Sequence, residues 1–194
     1  LSKTSLQFHL ASASPRRQEL LRQLGLHFDV RPADIAEQAW PGEAPADYAR
    51  RIALEKARAA QTRLDDGLPV MGADTDVVLD GQILGKPRDR DDALAILAAL
   101  SGREHEVYSA VAIVQGARAE VLLSVTRVQF GPISPDAAAR YWDTGEPADK
   151  AGAYGIQGLG AQFVKGLSGS YSGVVGLPLF ETTELLLRFG IHTL

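Results

Sequence analysis

The stretch Leu68 to Leu79 restricts the fold more than any other part of the chain. Val70-Met71-Gly72-Ala73 is apolar at consecutive positions, so both faces of the strand it predicts need cover, which marks a central strand in a helix-layered sheet. Asp74, Thr75 and Asp76 follow at the expected end of that strand, the place where α/β proteins keep their ligands. Asp80-Gly81 then reads as a tight hairpin turn, with Gln82-Ile83-Leu84 returning and Gly85-Lys86-Pro87 leading onward.

A second junction lies upstream. Leu10-Ala11-Ser12-Ala13-Ser14-Pro15-Arg16-Arg17 joins a short apolar run to an amphipathic helix that Gly25 terminates. Ser14 has the character of an N-cap and Pro15 of a first helical residue, so free N–H groups and the positive end of the helix dipole face the turn. With Arg16 and Arg17 beside them, these groups suit a polyphosphate. Alone, the segment equally fits a capped surface helix with solvated arginines.

His27 to Val30 predicts another strand, and the loop Ala33 to Pro45 carries Asp34, Glu37 and Glu43. Asp47 to Leu64 has helical spacing, with Tyr48, Ile52 and Ala53 on the apolar stripe and Arg50, Arg51 and Arg58 on the polar side. Lys56 falls on the apolar stripe, so it either snorkels or reaches an anion. Helices are expected over Asp89 to Leu100, from Ser134-Pro135-Asp136 onward, and over Pro178 to Phe189. Glu104 to Val114 and Glu120 to Phe130 read as an antiparallel pair. The glycines at 152, 155, 158 and 160 lack a dinucleotide-binding spacing and indicate close backbone approach.

Composition excludes several classes. A net charge of −4 argues against a nucleic-acid surface, and the absence of cysteine removes disulfide and thiolate-metal frameworks while fitting a reducing cytoplasm. Apolar runs are too short for a membrane span, and the first residues lack a signal-peptide pattern. No Walker A loop and no Gly-x-Ser-x-Gly elbow occurs, and the histidines at 9, 27, 105 and 192 stand apart. What remains is a set of cations (Arg16, Arg17, Lys56, Lys86) with carboxylates able to hold a divalent ion. Asp74 is the candidate base, Glu37 its helper or a metal ligand, and Asp76 is less convincing in either role.

Ser12-x-Ser14-x-Arg16-Arg17-x-x-Leu20-Leu21, Glu55-Lys56-Ala57, Gly72-Ala73-Asp74-Thr75, Gly85-Lys86-Pro87 and Asp149 to Gly158 together resemble the Maf family of nucleotide pyrophosphatases. The resemblance runs in order over nearly the whole chain. It implies an α/β fold, two-lobed around a long mixed, twisted sheet similar to that of the inosine triphosphate pyrophosphatases (the Maf/Ham1 type), with residues 1–194 forming one such domain around a cleft. It further implies a cytoplasmic, often dimeric enzyme that hydrolyses a nucleoside triphosphate to the monophosphate and pyrophosphate with a divalent cation, Mg²⁺ or Mn²⁺. The family's base falls on Asp74 and its phosphate and metal groups on Ser12, Arg16, Arg17, Glu37, Lys56 and Lys86. Arg16, Thr75 and Gln157 match the specificity positions of the branch acting on dTTP and UTP. A nucleotide-sensing regulator linked to cell division, or an enzyme for 7-methyl-GTP, are the alternatives.

Overall fold

The computed structural model describes residues 5–193. Seven strands form one mixed sheet in the order β2-β1-β3-β5-β6-β7, with the short β4 also paired to β3. The strands are β1 (Phe8–Leu10), β2 (Phe28–Val30), β3 (Val70–Leu79), β4 (Gln82–Leu84), β5 (Glu104–Gln115), β6 (Arg118–Phe130) and β7 (Val164–Ser168). The helices are α1 (Pro15–Gln23), α2 (Pro45–Gln61), α3 (Arg90–Leu100), α4 (Pro135–Asp143), α5 (Tyr171–Val175) and α6 (Leu179–Arg188). The mixed α/β sheet is the one expected. No helix among the described residues is long and apolar enough to cross a membrane.

The strand β3 is central, as its two-sided apolarity requires. On one edge it pairs antiparallel with β5 from Val70 to Val78. The other edge is shared: β1 runs parallel beside Val70 and Met71, and β4 runs antiparallel beside Val77 to Leu79. Among the described residues, 72–76 therefore have no strand partner on that side. The turn that returns β4 has Asp80 at φ 52° and Gly81 at φ 76°, the left-handed pair a two-residue hairpin needs. Asp74 and Asp76 lie inside β3, beside Ala110 and Tyr108 of β5, and not at its end. The strand continues because Val77 to Leu79 gain a second partner in β4.

The period-2 alternation of β3 puts Gly72, Asp74 and Asp76 on one face and Met71, Ala73, Thr75 and Val77 on the other. The second face joins the main core with Phe8, Leu10, Leu97, Val111, Ile113, Leu185 and Leu186. The first face is covered by α2 largely through alanines: Ala49 and Ala53 cluster with Ala110 and Ala112, and Ala57 and Ala60 with Val70. A methyl group on Gly72 would collide with the Ala53 carbonyl oxygen and stand 2.7 Å from the Ala57 nitrogen. Because Gly72 lacks one, the helix lies directly on the strand.

Candidate active site

The closeness of α2 to β3 sets the first contact of the site. Lys56, on the buried stripe of α2, places Nζ 2.8 Å from Asp74 Oδ1 and 2.9 Å from Glu37 Oε2. The lysine reaches anions and does not snorkel to solvent. Its residue is 8% exposed and Asp74 5%, so this is a buried pair, with the half-exposed Glu37 closing it from the loop before α2. Asp74 Oδ2 is buried and has no hydrogen-bond partner among the described residues. A buried carboxylate oxygen in that condition needs a donor or a cation.

Two residues on in β3, Asp76 shares the face. Burial, reinforced by the neighbouring charge of Asp74, pushes its carboxyl well above the usual carboxylate range. Asp76 Oδ2 likewise has no hydrogen-bond partner among the described residues. Tyr48 of α2 stands near the same acids: burial first, then the charges of Asp76, Asp74 and Glu37, raise its phenol.

The second group gathers on the opposite face of the same strand edge. Arg17 donates from Nε to the Gly176 carbonyl (2.8 Å), from Nη1 to Ser12 Oγ (3.1 Å) and from Nη2 to Thr75 Oγ1 (3.3 Å). Thr75 Oγ1 also lies 3.0 Å from Ser109 Oγ and donates to the Gly176 carbonyl at 3.2 Å. Burial pulls the Arg17 guanidinium below its ordinary value, and the charges of Asp74, Glu37 and Asp76 act the other way. The guanidinium is thus bound at Thr75, the residue next to Asp74 on β3. Ser14 occupies the N-cap position of α1, but its side chain caps nothing, and its own N–H donates to Ser12 Oγ at 3.3 Å. The first-turn N–H groups of a nine-residue helix have no side-chain cap at the same opening.

Arg16, Lys86 and Gln157 join neither group by a polar contact among the described residues. Lys86 and Gln157 are exposed, and their side chains make no polar contact among the described residues. The Lys86 loop is tied to the glycine-rich segment by the Gly152 N–H, which donates to the Gly85 carbonyl at 3.1 Å. Gly152, at φ 70°, sits where a Cβ would stand 2.8 Å from Val77. The glycines therefore do mark close approach, here to the end of β3. Arg16 is half-buried, and its charge helps hold Asp149 below the usual carboxylate range, after the larger effect of Lys150.

Several residues of this neighbourhood escape a reading of pattern. Arg51, assigned by helical spacing to the polar side of α2, is instead clamped by Glu43 (2.6 Å from both Nε and Nη2) and lies 4.0 Å over the Trp40 ring. It donates to the Gln38 carbonyl as well, so it fixes the loop that bears Glu37. No periodicity marks such a role. Glu146 and Tyr141 hold the loop that bears Gln157 mainly through backbone N–H groups, which carry no residue identity.

The residues fit a divalent ion of the magnesium kind. Glu37 and Asp74 supply two carboxylates, one with a free buried oxygen, and Mg²⁺ takes one or two together with phosphate oxygens and water. Among the described residues there is no cluster of three or more His, Cys, Asp or Glu side chains that would form an all-protein cage.

The chain is 52% identical over 193 residues to a protein of Bordetella avium named dTTP/UTP pyrophosphatase, covering 95% of this chain and 96% of that one. It is 53% identical to a protein of that name from Saccharophagus degradans (96% and 90% covered) and 54% identical to one from Hahella chejuensis (94% and 92%). A solved dITP/XTP pyrophosphatase from Mycobacterium abscessus superposes over 94% of this chain and 95% of that one, with 17% identity and a TM-score of 0.49. A family model described as Maf-like protein matches residues 7–189. On that match, with its relatives above half identity over nearly its full length, the chain belongs to the Maf-like protein family.

Proposed function

We propose that the protein is a nucleoside triphosphate pyrophosphatase acting on dTTP and UTP. The observation that carries the reading is a buried acid, Asp74, with one oxygen unpartnered among the described residues, held by Lys56 and Glu37 on the unpaired edge of β3 next to Thr75, which accepts from Arg17. The names of the relatives support the substrate.

In this reading the triphosphate lies along the opening between the N-terminus of α1 and the Lys86 loop. Arg16, Arg17, Lys56 and Lys86 offset its charge, and the first-turn N–H groups of α1 with Ser12 orient its oxygens. Asp74 takes a proton from the attacking water, whose oxygen bonds to the α-phosphorus. The bridging P–O bond breaks, and its electron pair leaves with pyrophosphate, where the cations stabilise the growing charge. Glu37 and Asp74 would hold a divalent cation, Mg²⁺ or Mn²⁺, which when bound supplies Lewis-acid polarisation of the phosphate. Lys56 fixes the two carboxylates toward one another. Gln157 presents both a donor and an acceptor to a pyrimidine edge, and Arg16 and Thr75 complete the specificity set. Cytoplasmic residence and a homodimeric assembly belong to the same reading, the first supported by the cysteine-free composition and the second by the family resemblance.

The test is product analysis with dTTP or UTP and Mg²⁺. Thymidine or uridine monophosphate and pyrophosphate are expected, and Asp74→Asn is expected to lower turnover about 10²- to 10⁴-fold. Release of the diphosphate and orthophosphate overturns the bond assignment. Wild-type turnover in Asp74→Asn overturns the base, and binding of dTTP without any turnover favours a nucleotide sensor.

A further inference from the structure

The loop that carries Gln157 is wound around a single carboxylate. Glu146, in a short 3-10 turn after α4, accepts three donors: the Tyr141 hydroxyl at 2.7 Å and the Gly160 N–H at 3.0 Å on Oε1, and the Leu159 N–H at 2.8 Å on Oε2. The Tyr141 oxygen in turn accepts the Gly155 N–H at 3.0 Å. Backbone donors on both sides of Gln157 are therefore bound, directly or through one phenol, by Glu146. Lys150 closes the turn from below, donating from Nζ to the Glu146 carbonyl at 2.7 Å.

The fit leaves room only for glycine. A Cβ at Gly158 would collide with Glu146 Oε2, one at Gly160 would stand 2.5 Å from the Tyr141 oxygen, and one at Gly155 would stand 2.9 Å from Lys150 Cε. Ile156 and Gly160 are buried, whereas Gln157 between them is exposed and its amide has no polar contact among the described residues. The loop thus spends its backbone polarity on the carboxylate and leaves one side-chain amide for a ligand.

We propose that Glu146 is a positioning residue for base selection, with Tyr141 as its relay: the carboxylate holds Gly155 to Gly160 in the shape that presents the Gln157 amide to the pyrimidine. This rests on the reading of Gln157 as a specificity residue in a nucleotide pyrophosphatase. It assigns the selectivity of the site in part to a side chain that need not touch substrate.

The test measures kcat and KM for dTTP and for GTP in the wild type, Gln157→Ala, Glu146→Ala, Glu146→Gln, Tyr141→Phe and the Gln157→Ala/Glu146→Ala double variant. Gln157→Ala is expected to lower the dTTP:GTP ratio of kcat/KM about tenfold or more. Glu146→Ala is expected to lower it about as far, through KM for dTTP with kcat within about threefold, and to have less than about a twofold further effect in the Gln157→Ala background. Glu146→Gln, which keeps one acceptor oxygen, restores part of the ratio, and Tyr141→Phe lies between. Hydrogen exchange at Gly155, Leu159 and Gly160 should quicken in Glu146→Ala, and in Tyr141→Phe at Gly155 if Glu146→Ala fails to fold. A ratio unchanged by Glu146→Ala while Gln157→Ala lowers it sinks the positioning role and leaves the reading of Gln157 intact. A ratio unchanged by Gln157→Ala sinks that reading, and the proposal with it. An effect of Glu146→Ala that adds in full to that of Gln157→Ala also overturns the proposal.

Discussion

His105 shows how far a single residue's surroundings decide its chemistry. It is 2% exposed among Phe130 and Tyr154, its Nε2 is 2.8 Å from the Tyr154 oxygen, and its Nδ1 has no partner among the described residues. Burial pulls its pKa down to about 4. Between that value and the ordinary 6.5 the unfolded chain binds a proton that the native chain does not. Stability from this group is therefore full above pH 6.5 and is lost as the pH falls toward 4, by about 2–3 kcal/mol at pH 4.5. Urea unfolding of wild type and His105→Gln at pH 7 and 4.5 checks this, the wild type being expected to lose that much more than the variant. At this scale the sequence is an uneven guide. Asp74 and Lys56 are legible because each breaks an apolar pattern, and a charge on a buried stripe demands a partner. Arg51 and Glu146 are not, because they sit where charge is unremarkable and bind partly to main-chain atoms.

Among the elements, α2 and β3 do most to place the site, and their contact depends on Gly72. Gly72→Ala must push the helix away from the strand, since the added methyl meets backbone atoms of Ala53 and Ala57 and not a flexible side chain. A loss of about 2–3 kcal/mol is expected, read as a lower denaturant midpoint. Turnover should fall in the same variant even where it remains folded, because the Lys56–Asp74 distance of 2.8 Å is set by that contact. Element type and order are readable from periodicity, capping and turn residues: Asp89 accepts from the Asp92 N–H as an N-cap, and Ser134 from the Ala137 N–H. The position of the carboxylates inside β3 is less so: the polar residues 74–76 interrupt the apolar run and look like its end, although the strand continues through Val77 to Leu79 into the hairpin with β4.

For the whole molecule, Arg17 is the tie between distant parts of the chain. Its guanidinium joins Ser12, Thr75 and Gly176, at the start, middle and end of the sequence. An ammonium cannot reproduce that fork, so Arg17→Lys is expected to cost about 1–3 kcal/mol, seen as a Tm lower by several degrees, and to weaken triphosphate binding as well. Nothing local predicts this convergence, because Gly176 contributes only a carbonyl. The bracketed edge of β3 has a further consequence. Unpaired strand edges invite another chain to add on and begin aggregation, and proteins normally blunt them with charge or cover. Here β1 and β4 stand like bookends around residues 72–76, leaving a window too short to template a foreign strand. The sheet can stay open to a small molecule without becoming sticky to its own kind.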